Sequence, residues 1–111
     1  MAIINLQPHP VNIENRLPIN PSGDVARVSE TLTYVGLVDG FPVMKQELSD
    51  VTVLRADKTI EPFPEEEKGV FYTVSLMVAQ ALPTRRDLLV PVGQVRDSGG
   101  KIVGCKGLVR V

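Results

Sequence analysis

The chain is poor in the residues that carry covalent and metal chemistry. Of 111 residues, one is cysteine, one is histidine and none is tryptophan. The single Cys105 excludes an intrachain disulfide and any thiolate metal cluster built within one chain, and it suits a reducing compartment. In "IVGCKGL" it reads as a small core residue more than a reactive thiol. His9 sits between Pro8 and Pro10, which stiffen the backbone towards an extended form, so it reads as part of a kink between two short strands. A catalytic or metal-binding role for it would need partners from far along the chain. There is no G-x-S-x-G and no H-E-x-x-H. The expectation is a protein that is not an enzyme, holds no metal and uses no cofactor.

Long apolar runs are also missing. No stretch approaches the roughly 20 residues that span a bilayer, and "MAIINLQPHP" has no basic region ahead of a long apolar segment. The chain is therefore expected in the cytoplasm with no membrane partner. Charge of one sign is lacking too, since 12 basic against 13 acidic side chains leave −1. Without a basic field, DNA and RNA are not the expected partners, and any bound anion must be gripped locally.

What is present is mostly β texture in a length that fits one compact domain, residues 1–111. "AIINL" and "VNIEN" are short β-branched runs flanking the proline kink, and "RLPINPSGD" carries turn signals. "VARVSETLTYVGLVDGFPVMKQEL" contains two extended runs about Asp39-Gly40, a strong two-residue hairpin signal, and predicts a long hairpin. "VTVLRA" predicts a further strand, and "DKTIEPFPEEEKG" a polar loop whose Glu65, Glu66 and Glu67 form a solvated charge run. Next, Val70 to Val74 reads as a strand. Ser75 can cap a short helix in "LMVAQAL", which Pro83 stops. That helix is nearly apolar, with Gln80 its one polar side chain, so it is expected to be covered on most sides, in part by another subunit. "DLLVPV", "QVRD" and "KIVGCKGLVRV" complete the chain as strands around Ser98-Gly99-Gly100. The fold class is α+β, mostly antiparallel β with one or two short helices.

Three places can hold chemistry. The junction "YTVSLM" offers backbone N–H groups at a helix start, with Phe71 and Tyr72 as faces for a base to stack on, or else one ring packs in the core and Ser75 only caps the helix. The arginines are a second place. Arg85 and Arg86 follow the helix, Arg96 precedes a turn, and Arg27 alternates away from Ala26 and Val28, towards solvent or a groove. Each is either a phosphate grip or a surface charge in an ion pair. The third is the pair Arg96 and Asp97. It could take a phosphate together with a hydroxyl or amine, or it could be an Asx-turn with Arg96 exposed.

The ordered frame "INLQPHPVNI", "INPSGDVARVSE", "GFPV", "VFYTVSLMVAQAL", "RRDLLVPV", "VRDSGGKIVGCKGLVRV" covers almost the whole chain. It resembles a family of small phage and prophage proteins whose characterised branch is the anti-Thoeris sponge proteins. The resemblance implies a homo-oligomer, a dimer or a hexamer made of three dimers, that sequesters cyclic ADP-ribose signals intact at the dimer interface. It implies Phe71 or Tyr72 as the stacking residue, Gln80 as an amide contact where the family pattern has asparagine, Arg96 as the phosphate grip and Asp97 as the hydroxyl acceptor. Some such proteins also bind cyclic oligonucleotides at a separate arginine-lined site. Arg27 is the candidate for that site, and Arg55 is a second one, in the segment that fits the frame least. Two rivals stand beside this expectation. One is a phage accessory protein acting as an interaction or structural module with no nucleotide ligand. The other is a nucleotide hydrolase, for which His9 and scattered carboxylates are poor material.

Overall fold

Two sheets share one hydrophobic core. The computed structural model describes residues 2–110, with strands β1 (Ala2–Asn5), β2 (Val25–Val38), β3 (Phe41–Leu54), β4 (Ile60–Pro62), β5 (Val70–Thr73), β6 (Leu88–Arg96) and β7 (Ile102–Arg110) and one helix, α1 (Leu76–Ala81). The first sheet has the order β1-β5-β6-β7 and the second β2-β3-β4. The mostly-β expectation is met, with one short helix among the described residues. The first sheet, however, is mixed, because β5 runs parallel to both β1 and β6. The cause is topological: β5 and β6 are joined through α1, and a crossover of this kind returns the chain in the same direction.

Ser75 begins α1 as the sequence indicates, its Oγ accepting from Val78 N at 3.3 Å. Helix burial is one-sided. Val78 and Ala79 are buried, whereas Leu76 and Gln80 face solvent. The expected cover on most sides is thus absent within one chain. Around the helix pack Leu6, Val53, Tyr72, Val74, Leu88 and Val90, which form the centre of the core.

The segment after β1 is a lasso held by side-chain hydrogen bonds. Asn5, almost fully buried, donates to His9 O and Ile19 O and accepts from Gln7 N and Thr73 Oγ1, so all four bonds that an amide can make are used. "VNIEN" does not form a strand. It closes on itself through an isolated bridge from Val11 to Ile19 and touches the first sheet through another from Ile13 to Cys105. Cys105 is buried beneath it. Gly104 permits the approach, because a Cβ there would lie 2.5 Å from Asn12 O. His9 is exposed, its Nδ1 3.2 Å from Pro10 O.

The long hairpin forms about Asp39 and Gly40, both at positive φ (51° and 80°), as a two-residue turn of the primed kind requires. "VTVLRA" is mostly the end of β3 and not a separate strand. The chain stays in the same strand through a bulge, where the one residue between Arg27 and Ser29 opposes the two between Thr52 and Ser49, and Asp50 takes φ 53°. The expected polar loop contains β4, paired with the last residues of β3, and then Phe63, which packs against the core. On β2, Ala26 and Val28 face the core and Arg27 faces solvent, as alternation indicates. Beyond Glu30 on β2 and Leu48 on β3, the hairpin leaves the body as a two-stranded ribbon. Its large apolar residues are exposed, with Tyr34, Leu37 and Phe41 58–72% accessible.

Candidate functional site

The sequence places two aromatic residues side by side on β5, and the sheet separates their roles. Tyr72 is buried at 6% exposure, its ring edge-on to Phe63 with centroids 5.5 Å apart. Burial raises its phenol above the ordinary value, with the Asp87 carboxylate adding to the shift. It is a core residue, which removes it as a stacking surface. Phe71 points the other way and is half-buried. The Arg110 guanidinium lies over its ring, 5.3 Å from the centroid.

Phe71 and Arg110 belong to an open depression of about 340 Å³ that also takes in Glu66, Lys68, Arg86 and Asp87. The two neighbouring arginines differ sharply. Arg85 makes two hydrogen bonds to Asp87, Nε to Oδ1 at 2.9 Å and Nη2 to Oδ2 at 2.6 Å, and its guanidinium lies 4.9 Å from the centre of the Phe63 ring. Donating to the Asp87 carboxylate holds the Arg85 pKa above its ordinary value, against the opposing effect of burial. Arg85 is a strut. Arg86 is 87% exposed, with Glu66 as a distant partner at 3.9 Å, so its donors are open to a ligand. The depression therefore offers one aromatic ring and two accessible guanidiniums, Arg86 and Arg110, beside the partly exposed Glu66 carboxylate, which can accept from a hydroxyl group. Arg110, at the end of β7 and across from Leu89, is the residue that sequence reasoning missed. Only the antiparallel return of β7 places it beside Phe71.

The remaining candidates lie elsewhere. The Ser75 oxygen is engaged by the helix it caps, and a helix of six residues gives that end little dipole. Gln80 is exposed on α1. Arg96 donates to Gly100 O at 2.7 Å and to Gln94 Oε1 at 3.2 Å, while Asp97 Oδ1 accepts from Gly99 N and Lys101 N at 2.9 and 3.0 Å. That is the Asx-turn alternative. Arg96 and Phe71 also occupy opposite ends of the first sheet. Phe71's neighbour Tyr72 pairs with Leu88 at the start of β6, and Arg96 ends that strand, roughly 26 Å further along at the usual rise per residue. One chain does not bring the predicted pocket together.

Arg27 is exposed on β2. Arg55 follows β3 and is shared between Asp24 at 3.6 Å and Glu61 at 3.2 Å, both surface contacts. A second hollow, about 440 Å³ and largely apolar, lies between residues 9–12 and the β6–β7 hairpin. Among the described residues no group of three or more His, Cys, Asp or Glu is placed to hold a metal ion, and no helix is long and apolar enough to cross a membrane. No family model, curated protein or solved structure matches the chain.

Proposed function

We propose that the protein is a non-catalytic sponge that binds a cyclic ADP-ribose-type signal and holds it unchanged. It does so in the cytoplasm of a phage-infected bacterial host, as a dimer or a hexamer of three dimers. The observation that carries this reading is the cluster of Phe71, Arg110 and Arg86 around one depression. A cyclic dinucleotide-like ligand presents a base and a pyrophosphate, and these are the groups that an aromatic face and forked guanidiniums select. In this mechanism Arg110 swings from the Phe71 ring to a phosphate oxygen and the vacated face takes the base. Arg86 neutralises the second phosphate charge, and a carboxylate of the rim accepts from a ribose hydroxyl.

Gln80, Arg96 and Asp97 enter this reading from a second copy. The distance of Arg96 and Asp97 from Phe71 within one chain, and the exposure of Gln80, fit a pocket shared between subunits, which is what the family resemblance implies. Arg27 and Arg55, both exposed, are the residues proposed for a separate cyclic oligonucleotide site.

Calorimetric titration with cyclic ADP-ribose isomers, followed by heating the complex and analysing the released ligand, tests the proposal. The expected outcome is tight binding with intact recovery, weakened about tenfold or more in Phe71→Ala and in Arg110→Ala, since a stacked base contributes about 1–3 kcal/mol. Arg96→Ala tests the shared pocket separately. Recovery of a changed ligand would make the protein an enzyme, and no heat with any isomer would end the sponge reading. The exposed apolar ribbon favours a second reading, an interaction module without a nucleotide ligand. That reading expects no binding in this titration.

A further inference from the structure

We infer that the outer part of the β2–β3 hairpin is the arm by which two copies of this chain hold each other. The stripe of Leu32, Tyr34, Leu37 and Met44 packs across a two-fold axis. The inference deepens the oligomeric part of the reading above by naming its surface, and it needs no nucleotide.

Continuity of one face is the first argument. Cross-strand partners share a face, so the register fixes which side chains lie together. Ala26, Val28 and Val53 lie on the side of the hairpin that packs into the core. Past the bulge the same side continues through the pairs Glu30–Leu48, Leu32–Gln46 and Tyr34–Met44, and past a second irregularity between Tyr34 and Gly36 it reaches Leu37–Pro42. The core-facing surface therefore runs on beyond the body with nothing beneath it. Leu32 is 54% and Leu37 64% exposed.

Surface area argues next. The chain exposes 7798 Å² and has a radius of gyration of 16.3 Å. A compact monomer of this mass exposes about 6,000 Å² and has a radius near 13 Å. The excess is about 1,800 Å² per chain, and its removal from two copies falls within the 2,000–5,000 Å² of obligate homodimers.

Charge points to a second copy as the occupant. Residues 31–38 of β2 carry no charged side chain, and the Lys45–Glu47 ion pair lies on the opposite face. At the inner end of the stripe Glu30 is engaged by Gln46 Nε2 at 2.6 Å. A stripe like this meets itself without like-charge repulsion, as an isologous contact requires. From Thr31 to Val38 the β2 edge is also rich in β-branched residues and lacks the charges and prolines that guard exposed edges, which marks it as a strand meant to be covered.

Light scattering and sedimentation of the full chain without nucleotide test this. The wild type is expected at about twice the 12.1 kDa chain mass or a multiple of that dimer. The double variant Leu32→Glu with Tyr34→Glu is expected to dissociate, with the dimer constant weakened at least about 30-fold. Thr33→Glu, on the opposite face beside Lys45, leaves the dimer intact. Circular dichroism follows folding throughout. If the double variant loses its β signature, Met44→Gln gives the same test with a change of polarity alone. A wild type that stays monomeric, a dimer that survives the stripe variants, or equal loss with Thr33→Glu would each overturn the proposal. A dimer that forms but binds no nucleotide would leave it standing and remove only the ligand.

Discussion

The body of the molecule and its projecting ribbon are built from the same residue types and reach opposite states of completion. In the body, Val74, Val78 and Leu88 are at most 2% exposed, and polar groups as deep as Asn5 and Thr73 are paired. In the ribbon, Leu32, Tyr34 and Met44 have the same strand alternation and nothing to pack on. β-pattern therefore reports only that a face is meant to be covered. Whether the cover comes from the same chain depends on what the topology brings to it.

The largest expected effect separates the regions by the concentration dependence of their defects. Leu88→Ala empties a site walled by core residues and is expected to cost about 2–5 kcal/mol in urea unfolding, whatever the protein concentration. Leu32→Ala removes a side chain that one copy leaves half in water. Its cost is expected within about 0.5 kcal/mol at dilutions where copies separate, and to grow as they associate. Equal, concentration-independent costs at both positions would break the distinction between body and ribbon.

Ion pairs give the same contrast at smaller scale. Asp87 and Arg85 are 7% and 16% accessible in their side chains and are joined by two hydrogen bonds, so Asp87→Ala leaves a largely buried guanidinium with only the longer contact to Glu66 at 3.6 Å. The expected loss is about 3 kcal/mol, read by thermal unfolding. Lys45 and Glu47 on the ribbon are 3.0 Å apart but 63% and 59% exposed, and Glu47→Ala is expected to shift stability by no more than about 0.5 kcal/mol.

Local signals in the sequence carried much of the fold. Asp39-Gly40 marks the hairpin because that turn needs two residues tolerant of positive φ, and Ser75 and Pro83 bracket α1 because capping and stopping are decided within a few residues. What stayed hidden was decided at a distance. Phe71 and Tyr72 are adjacent aromatic residues that strand geometry must send to opposite faces, and nothing local says which of them meets Phe63 and the core. Arg85 and Arg86 likewise diverge because only Arg85 reaches back to Asp87 and across to Phe63. The Arg96–Asp97 turn was legible as one of two alternatives. Arg110 was not legible as part of a site, since its position beside Phe71 depends on the β6–β7 register.

The smallest effect sharpens the comparison at the ribbon's tip. Gly40 holds φ 80° with no heavy atom within 4 Å of where a Cβ would stand, so Gly40→Ala introduces backbone strain without a clash. That strain is about 1 kcal/mol, and the site lies far from every core residue. Hydrogen exchange should register it as a roughly fivefold faster opening of amides between Thr31 and Glu47, with the amides of β5 and β6 unchanged. The two-state alternative, in which ribbon and body open as one unit, requires the body amides to accelerate by the same factor. If ribbon amides in the wild type are already protected as strongly as those of β5, and lose that protection on dilution, the protection comes from a second chain, because the ribbon's own body covers only its root.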